Sequence, residues 1–132
     1  MNAVAQGFAL LEALIYIAVF PLEAFFLRRA PVQRFLSTPP ANVPAVMMWA
    51  IPVGFRNFLI GAGVITGLIA LHTGYEQAGR ALVLYCCVYM VVGGSTIALA
   101  DALGHYPRKG GSIPGTLAAT VPALIALVIA AL

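Results

Sequence analysis

The chain has 132 residues, the length of one domain, but its composition leaves too little polar material to cover a water-facing surface. Hydrophobic residues make up 62% and charged residues 8%, where an ordinary soluble domain carries about 25% charged residues, and the mean hydropathy is +1.00. These values exclude disorder, a secreted disulfide scaffold and a nucleic-acid-binding domain, and they make the net charge of +3 a topology signal instead.

Taken in chain order, four apolar segments are long enough to cross a bilayer. The first is expected as a helix over about 6–28. No Lys or Arg precedes it, unlike a cleavable signal peptide, so it should be retained. Arg28 and Arg29 stop it. The second is expected over 45–72, with Pro52 kinking its entry and Gly61, Gly63 and Gly67 forming one stripe of small residues for close helix contact. The third, over 80–102, contains the adjacent cysteines Cys86 and Cys87, which read as buried thiols, and the close-packing group Gly93, Gly94 and Ser95. The fourth is expected over 112–132. The connections hold the Pro, Gly and polar residues of water-exposed turns. The fold class is therefore all-α: one transmembrane domain over 1–132, a bundle of four antiparallel helices.

Basic residues orient it. Arg28, Arg29 and Arg34 in the first connection and Arg108 and Lys109 in the third share one side, against Arg80 alone on the other. This bias predicts loops 28–43 and 103–111 in the cytoplasm, both termini outside, and a multi-pass protein of a bacterial inner membrane.

Ionisable residues inside a span are costly and are candidates for function. Three of the four acidic residues, Glu12, Glu23 and Asp101, fall within the spans, and only Glu76 lies in a loop. Glu12 and Glu23 are eleven residues apart, close to three turns, so they share one helix face about 16 Å apart, and Tyr16 joins that face one turn from Glu12. Depth places Arg56 and Asn57 nearer to Glu23, predicting a Glu23–Arg56 ion pair with Asn57 beside it. Glu12 is left without a cationic partner. Burial favours the neutral form of such a carboxyl group, so Glu12 is expected either as a general acid or as a structural carboxyl group hydrogen-bonded to a backbone carbonyl. Tyr85 and Tyr89, one turn apart, either pack in the core or form a ligand wall, and Trp49 reads as an interfacial belt residue. His72 and His105 belong to opposite ends, and no spacing of His, Cys, Asp or Glu matches a metal site, so no cofactor and no metal are expected.

The stretch GFRNFLIGAGVITGL, residues 54–68, resembles the second helix of a small bacterial membrane family, domain of unknown function 1304. The shared positions are Gly54, Asn57, Gly63, Gly67 and Leu68, joined by Leu22, Glu23 and Phe25 in the first helix and Pro122, Ala123, Ala126 and Leu127 in the last. Two departures stand out: the family's His-x-Tyr element is replaced by Tyr16, Ile17 and Ala18, and Arg56 occupies a position that is usually aromatic. The resemblance implies a four-helix fold and marks Glu23 and Asn57 as shared polar positions. It implies no chemistry.

The leading functional expectation is an intramembrane acid–base enzyme of isomerase, epoxide-opening or cyclase type. Glu12, Glu23, Tyr16 and Asp101 would be catalytic, and Arg56, Asn57, Tyr85, Tyr89 and Trp49 would contact a lipophilic small molecule drawn from the membrane lipids. The alternatives are a proton-coupled carrier, which with four helices needs a homo-oligomer, and an accessory or structural subunit. The enzyme calls for a closed or laterally open apolar pocket lined by Glu12, Tyr16 and Glu23, the carrier for a water-accessible path, and the subunit for every charge paired and no void.

Overall fold

The computed structural model describes residues 1–132, and its regular structure is entirely helical. Helix α1 (Ala3–Ala24) is followed by a short α2 (Ala30–Phe35) and a 3-10 turn at Pro40–Asn42, then by α3 (Val43–His72), α4 (Glu76–Ala102) and α5 (Ile113–Ala131). The four long helices are each long and apolar enough to span a membrane.

Local chemistry explains where they start and stop. The Asn2 side chain accepts the Ala5 N–H at 2.9 Å and caps α1. That helix ends at Ala24, short of the expected residue 28. At its end the Phe25 and Phe26 N–H groups both return to the Pro21 carbonyl, at 3.0 and 3.1 Å, and Pro31, whose fixed φ suits a first turn, opens the separate helix α2. At the exit of α2 the Thr38 N–H reaches back to the Gln33 carbonyl at 2.8 Å and the Ser37 N–H to Arg34 at 3.3 Å, with Ser37 left-handed at φ 53°. This is a Schellman ending built on serine where glycine is usual. Helix α4 starts at Glu76, four residues before the expected Arg80, because Gly74 at φ 92° turns the chain within three residues. Arg80 therefore sits one turn inside α4, and its guanidinium donates to the Ala130 carbonyl at 3.1 Å, one of the orphan acceptors at the end of α5.

The long helices pack in a ring, α1 against α3, α3 against α4, α4 against α5 and α5 against α1. Small residues set the spacing. A Cβ on Gly79 would lie 2.6 Å from the Gly67 carbonyl oxygen, and one on Gly94 2.6 Å from that of Ala119, so α4 touches both neighbours backbone to backbone. The expected single stripe on α3 is divided. Gly61 meets Ala13 and Ile17 of α1, while Gly63 and Gly67 meet Cys86 and Val83 of α4, since two residues along a helix turn the side chain by about 200°. On α1 the fully buried Ala5, Ala9 and Ala13 form the inward stripe that brings this helix close to its partners.

The two ends of the bundle differ. At one end Gln6 of α1 and His72 of α3 hydrogen-bond at 2.8 Å, so those helices finish level. At the other, basic end, Gly54 packs against the Phe20 carbonyl and the Ala24 methyl group at the last turn of α1. Residues 43–53 of α3 thus run about 15 Å beyond the end of α1.

Candidate functional site

Glu12 occupies the middle of the bundle. Its side chain is 0% exposed, at the level of a core that includes Ala9, Ala13, Tyr16, Cys87 and Met90, and neither carboxyl oxygen has a hydrogen-bond partner. The Ala123 amide of α5 faces the group but falls short of hydrogen-bonding geometry. Buried polar groups are nearly always satisfied, and leaving one unsatisfied costs about 1–3 kcal/mol. Tyr16, one turn away, does not supply the missing bond. Its hydroxyl proton is shared between the Met90 carbonyl at 3.1 Å and the Ala119 carbonyl at 3.2 Å, bracing α1 against α4 and α5 together.

Glu23 is satisfied, but by Asn57 rather than Arg56. The Asn57 amide donates to Glu23 Oε2 at 2.7 Å across the α1–α3 contact. The predicted Glu23–Arg56 ion pair does not form. Gly54, Asn57 and Gly61 follow an i, i+3, i+7 pattern that faces α1, and Arg56, one residue off it, is turned about 100° outward and is exposed. Because α1 ends at Ala24, this level is the end of the span and not mid-membrane, so Arg56 can extend its head towards the interface. Phe20, Phe25, Phe55 and Phe58 stack around the same contact, with ring centroids 4.9–6.2 Å apart.

The other expected site residues lie apart from this core. Asp101 accepts the Gly110 N–H at 3.1 Å, the Ser112 N–H at 3.0 Å and the Ser112 hydroxyl at 2.7 Å, and so clamps the α4–α5 loop at the start of α5. Tyr85 and Tyr89 are on the outer surface, because α4 turns Val83, Cys86, Cys87, Met90 and Gly94 inward; the choice between core and ligand wall is answered by neither. Trp49 is exposed on the part of α3 that overshoots α1. Cys86 and Cys87 are buried free thiols. Thus Glu12 and Tyr16 share the core, Glu23 and Asn57 form a separate polar contact near one end, and Asp101, Arg56, Tyr85, Tyr89 and Trp49 join neither. Two cavities lie at the basic end, and neither is lined by Glu12, Tyr16 or Glu23, the residues expected to form an enzyme's pocket.

The Glu23–Asn57 contact gives a direct stability test. Asn57→Leu should lower stability in detergent by about 1–3 kcal/mol, because it strands a carboxylate oxygen, while Glu23→Leu combined with Asn57→Leu should recover most of the loss. Arg56→Ala should change thermal unfolding little. A large loss from Arg56→Ala would show that Arg56, not Asn57, holds Glu23.

An all-helical ring of four hydrophobic spans around a buried carboxyl group defines a small multi-pass membrane protein. A family model described as "Protein of unknown function (DUF1304)" matches residues 10–131, and the chain belongs to that family. It matches no curated protein and no solved structure. Two positions identified by the resemblance in the sequence, Glu23 and Asn57, are hydrogen-bonded to each other.

Proposed function

We propose that the protein is an intramembrane acid–base enzyme that isomerises, ring-opens or cyclises a lipophilic small molecule, with Glu12 as its working group. The observation that carries this reading is the fully buried Glu12 carboxyl group with both oxygens unpartnered. A structural subunit would have no reason to keep such a group, since an apolar residue of similar size would stabilise the bundle more. In an isomerisation, Glu12 delivers its proton to one substrate atom and the resulting carboxylate takes a proton from another, so the enzyme returns to its starting state without a cofactor. Tyr16 positions α1 through its two carbonyl contacts, and Glu23 with Asn57 fixes α3 beside it.

Glu12 is fully buried, so a substrate would reach it only if α1 and α5 part laterally. Both helices turn small side chains inward, Ala9 and Ala13 on one and Ala123 and Ala126 on the other. Pro122 also removes a backbone donor from α5, leaving that helix more easily bent beside the carboxyl group. The test is Glu12→Gln, which keeps the volume but cannot exchange a proton at useful rates. Lipid extracts of cells expressing the variant should lose the metabolite change caused by the wild type, by about 100-fold or more. Identical profiles for wild type and variant would remove the enzyme reading, and loss of proton-driven uptake in vesicles would favour the carrier.

The excess of basic residues at one end supports an inner-membrane protein with that end in the cytoplasm. In a variant with Cys86 and Cys87 replaced by Ala, Ala41→Cys should react with an impermeant maleimide only after the cells are opened, and Thr73→Cys should react in intact cells. The reverse pattern would invert the topology.

A further inference from the structure

At the basic end, two connections distant in sequence meet over one depression. The exit of α2 supplies Gln33, Arg34, Ser37 and Thr38, and the α4–α5 loop supplies Tyr106 and Arg108, around a groove of about 450 Å³. A second hollow of about 310 Å³ continues it past His105 and shares Ser37, Thr38 and Tyr106 with it. This is the size range of small-molecule sites.

The charge is one-sided. No acidic residue occurs between Ala24 and Tyr75 or after Asp101, and the carboxylate of Asp101 is occupied by Gly110 and Ser112. Arg34 and Arg108 therefore have no carboxylate in these connections to pair with. Membrane topology asks only for positive charge on this side and is served equally by scattered residues. It does not require two guanidinium groups from separate connections to line one groove. The walls are also held in place. The Gln33 amide donates to the Arg28 carbonyl at 3.0 Å, the Schellman ending fixes Ser37 and Thr38, and the Asp101 clamp fixes the opposite loop. Tyr106 is half-buried, and burial and then the Asp101 carboxylate hold its phenol above the ordinary range, so it remains a hydrogen-bond donor at neutral pH.

We propose that this groove binds a phosphate ester, with Arg34 and Arg108 as forked donors to its oxygens and Tyr106 completing the cradle. Planar guanidinium groups match phosphate geometry in two-point contacts, and hydroxyl groups from Ser37 and Thr38 add neutral partners at the rim. The ester comes either from an anionic phospholipid headgroup of the adjoining leaflet or from a soluble phosphorylated compound.

The experiment uses the full chain in nanodiscs of phosphatidylcholine, with phosphatidylglycerol added to the bilayer in one arm and glycerol 3-phosphate added to the buffer in the other. Retained ligand is read by native mass spectrometry and thermal unfolding. Wild type should gain stability from one of the two sources, and Arg34→Gln with Arg108→Gln should weaken that binding about tenfold or more. Arg28→Gln with Arg29→Gln removes the same charge from outside the groove and should leave binding intact. All four positions are exposed or on loops, so unliganded melting should match wild type in both variants. A response to phosphatidylglycerol identifies a lipid site, and a response to glycerol 3-phosphate a soluble one. Equal weakening in the two double variants, or no response to either phosphate source, overturns the proposal.

Discussion

Glu12→Met should make the protein more stable and inactive at once. The unbranched thioether fills nearly the space of the glutamate and adapts to an apolar core. It also removes two oxygens that have no partner in the bundle. Relieving an unsatisfied buried polar group should be worth about 1–3 kcal/mol, seen as a higher unfolding temperature in detergent. Glu12→Gln should melt close to wild type, since one unsatisfied polar group replaces another. Active sites commonly carry such a cost, and stability gained by deleting it comes with lost function. If Glu12→Met instead melts earlier than wild type, Glu12 is making a stabilising contact and its role is structural.

Gly79→Leu should fail to give a folded bundle. The Cβ alone would sit 2.6 Å from the Gly67 carbonyl oxygen and 2.6 Å from the Leu71 nitrogen, and both are backbone atoms that cannot rotate aside. The helices α3 and α4 would have to separate, opening the seam that continues to Gly63 and Cys86. Adding one or two methylenes to a packed core already costs about 1–3 kcal/mol, and four carbons against backbone should exceed that. Gly93→Leu provides the contrast, because a Cβ there meets nothing within 4 Å and faces outward. Size-exclusion chromatography in detergent should show aggregate for the first variant and a monodisperse peak for the second. A monodisperse, normally melting Gly79→Leu protein would mean that the α3–α4 contact is looser than the structure has it.

Composition alone identifies the four spans, because a chain with so few charges has no other way to bury its apolar surface. The eleven-residue spacing of Glu12 and Glu23 also places both on inward or contact-facing sides of α1. Partner choice at Glu23 is harder to read. Depth ranks Arg56 and Asn57 equally, and charge favours arginine, but azimuth decides: one residue is a 100° turn. The signal was present in Gly54, Asn57 and Gly61, whose spacing marks the face that touches α1. Likewise Tyr85 and Tyr89 share a face, but only the positions of Val83, Cys86, Met90 and Gly94 tell that this face is outward. The Asp101 clamp depends on how the ten-residue loop 103–112 folds back, which no helical period encodes. The start of α2 was readable from Pro31, since a proline at that point serves the first turn of a helix.

The uneven ends of the bundle affect how it fits a bilayer. Helices α1 and α5, with 22 and 19 residues, are about 33 and 28 Å long and match a hydrocarbon core of about 30 Å. Helix α3, with 30 residues, is about 45 Å long and cannot be matched without strong tilt or projection. Because α1 and α3 finish level where Gln6 meets His72, the excess length emerges entirely at the other face. The protein is thus a thin slab on its α1–α5 side with a raised shoulder on its α3 side. Trp49 and Met48 are exposed on the shoulder, whereas α1 and α5 offer only a helix pair of bilayer thickness. A thicker membrane would be stretched thin along that second side first, at a cost of fractions of a kcal/mol per Å. Membrane thickness is therefore a variable to which the α1–α5 seam, and any opening along it, is directly exposed.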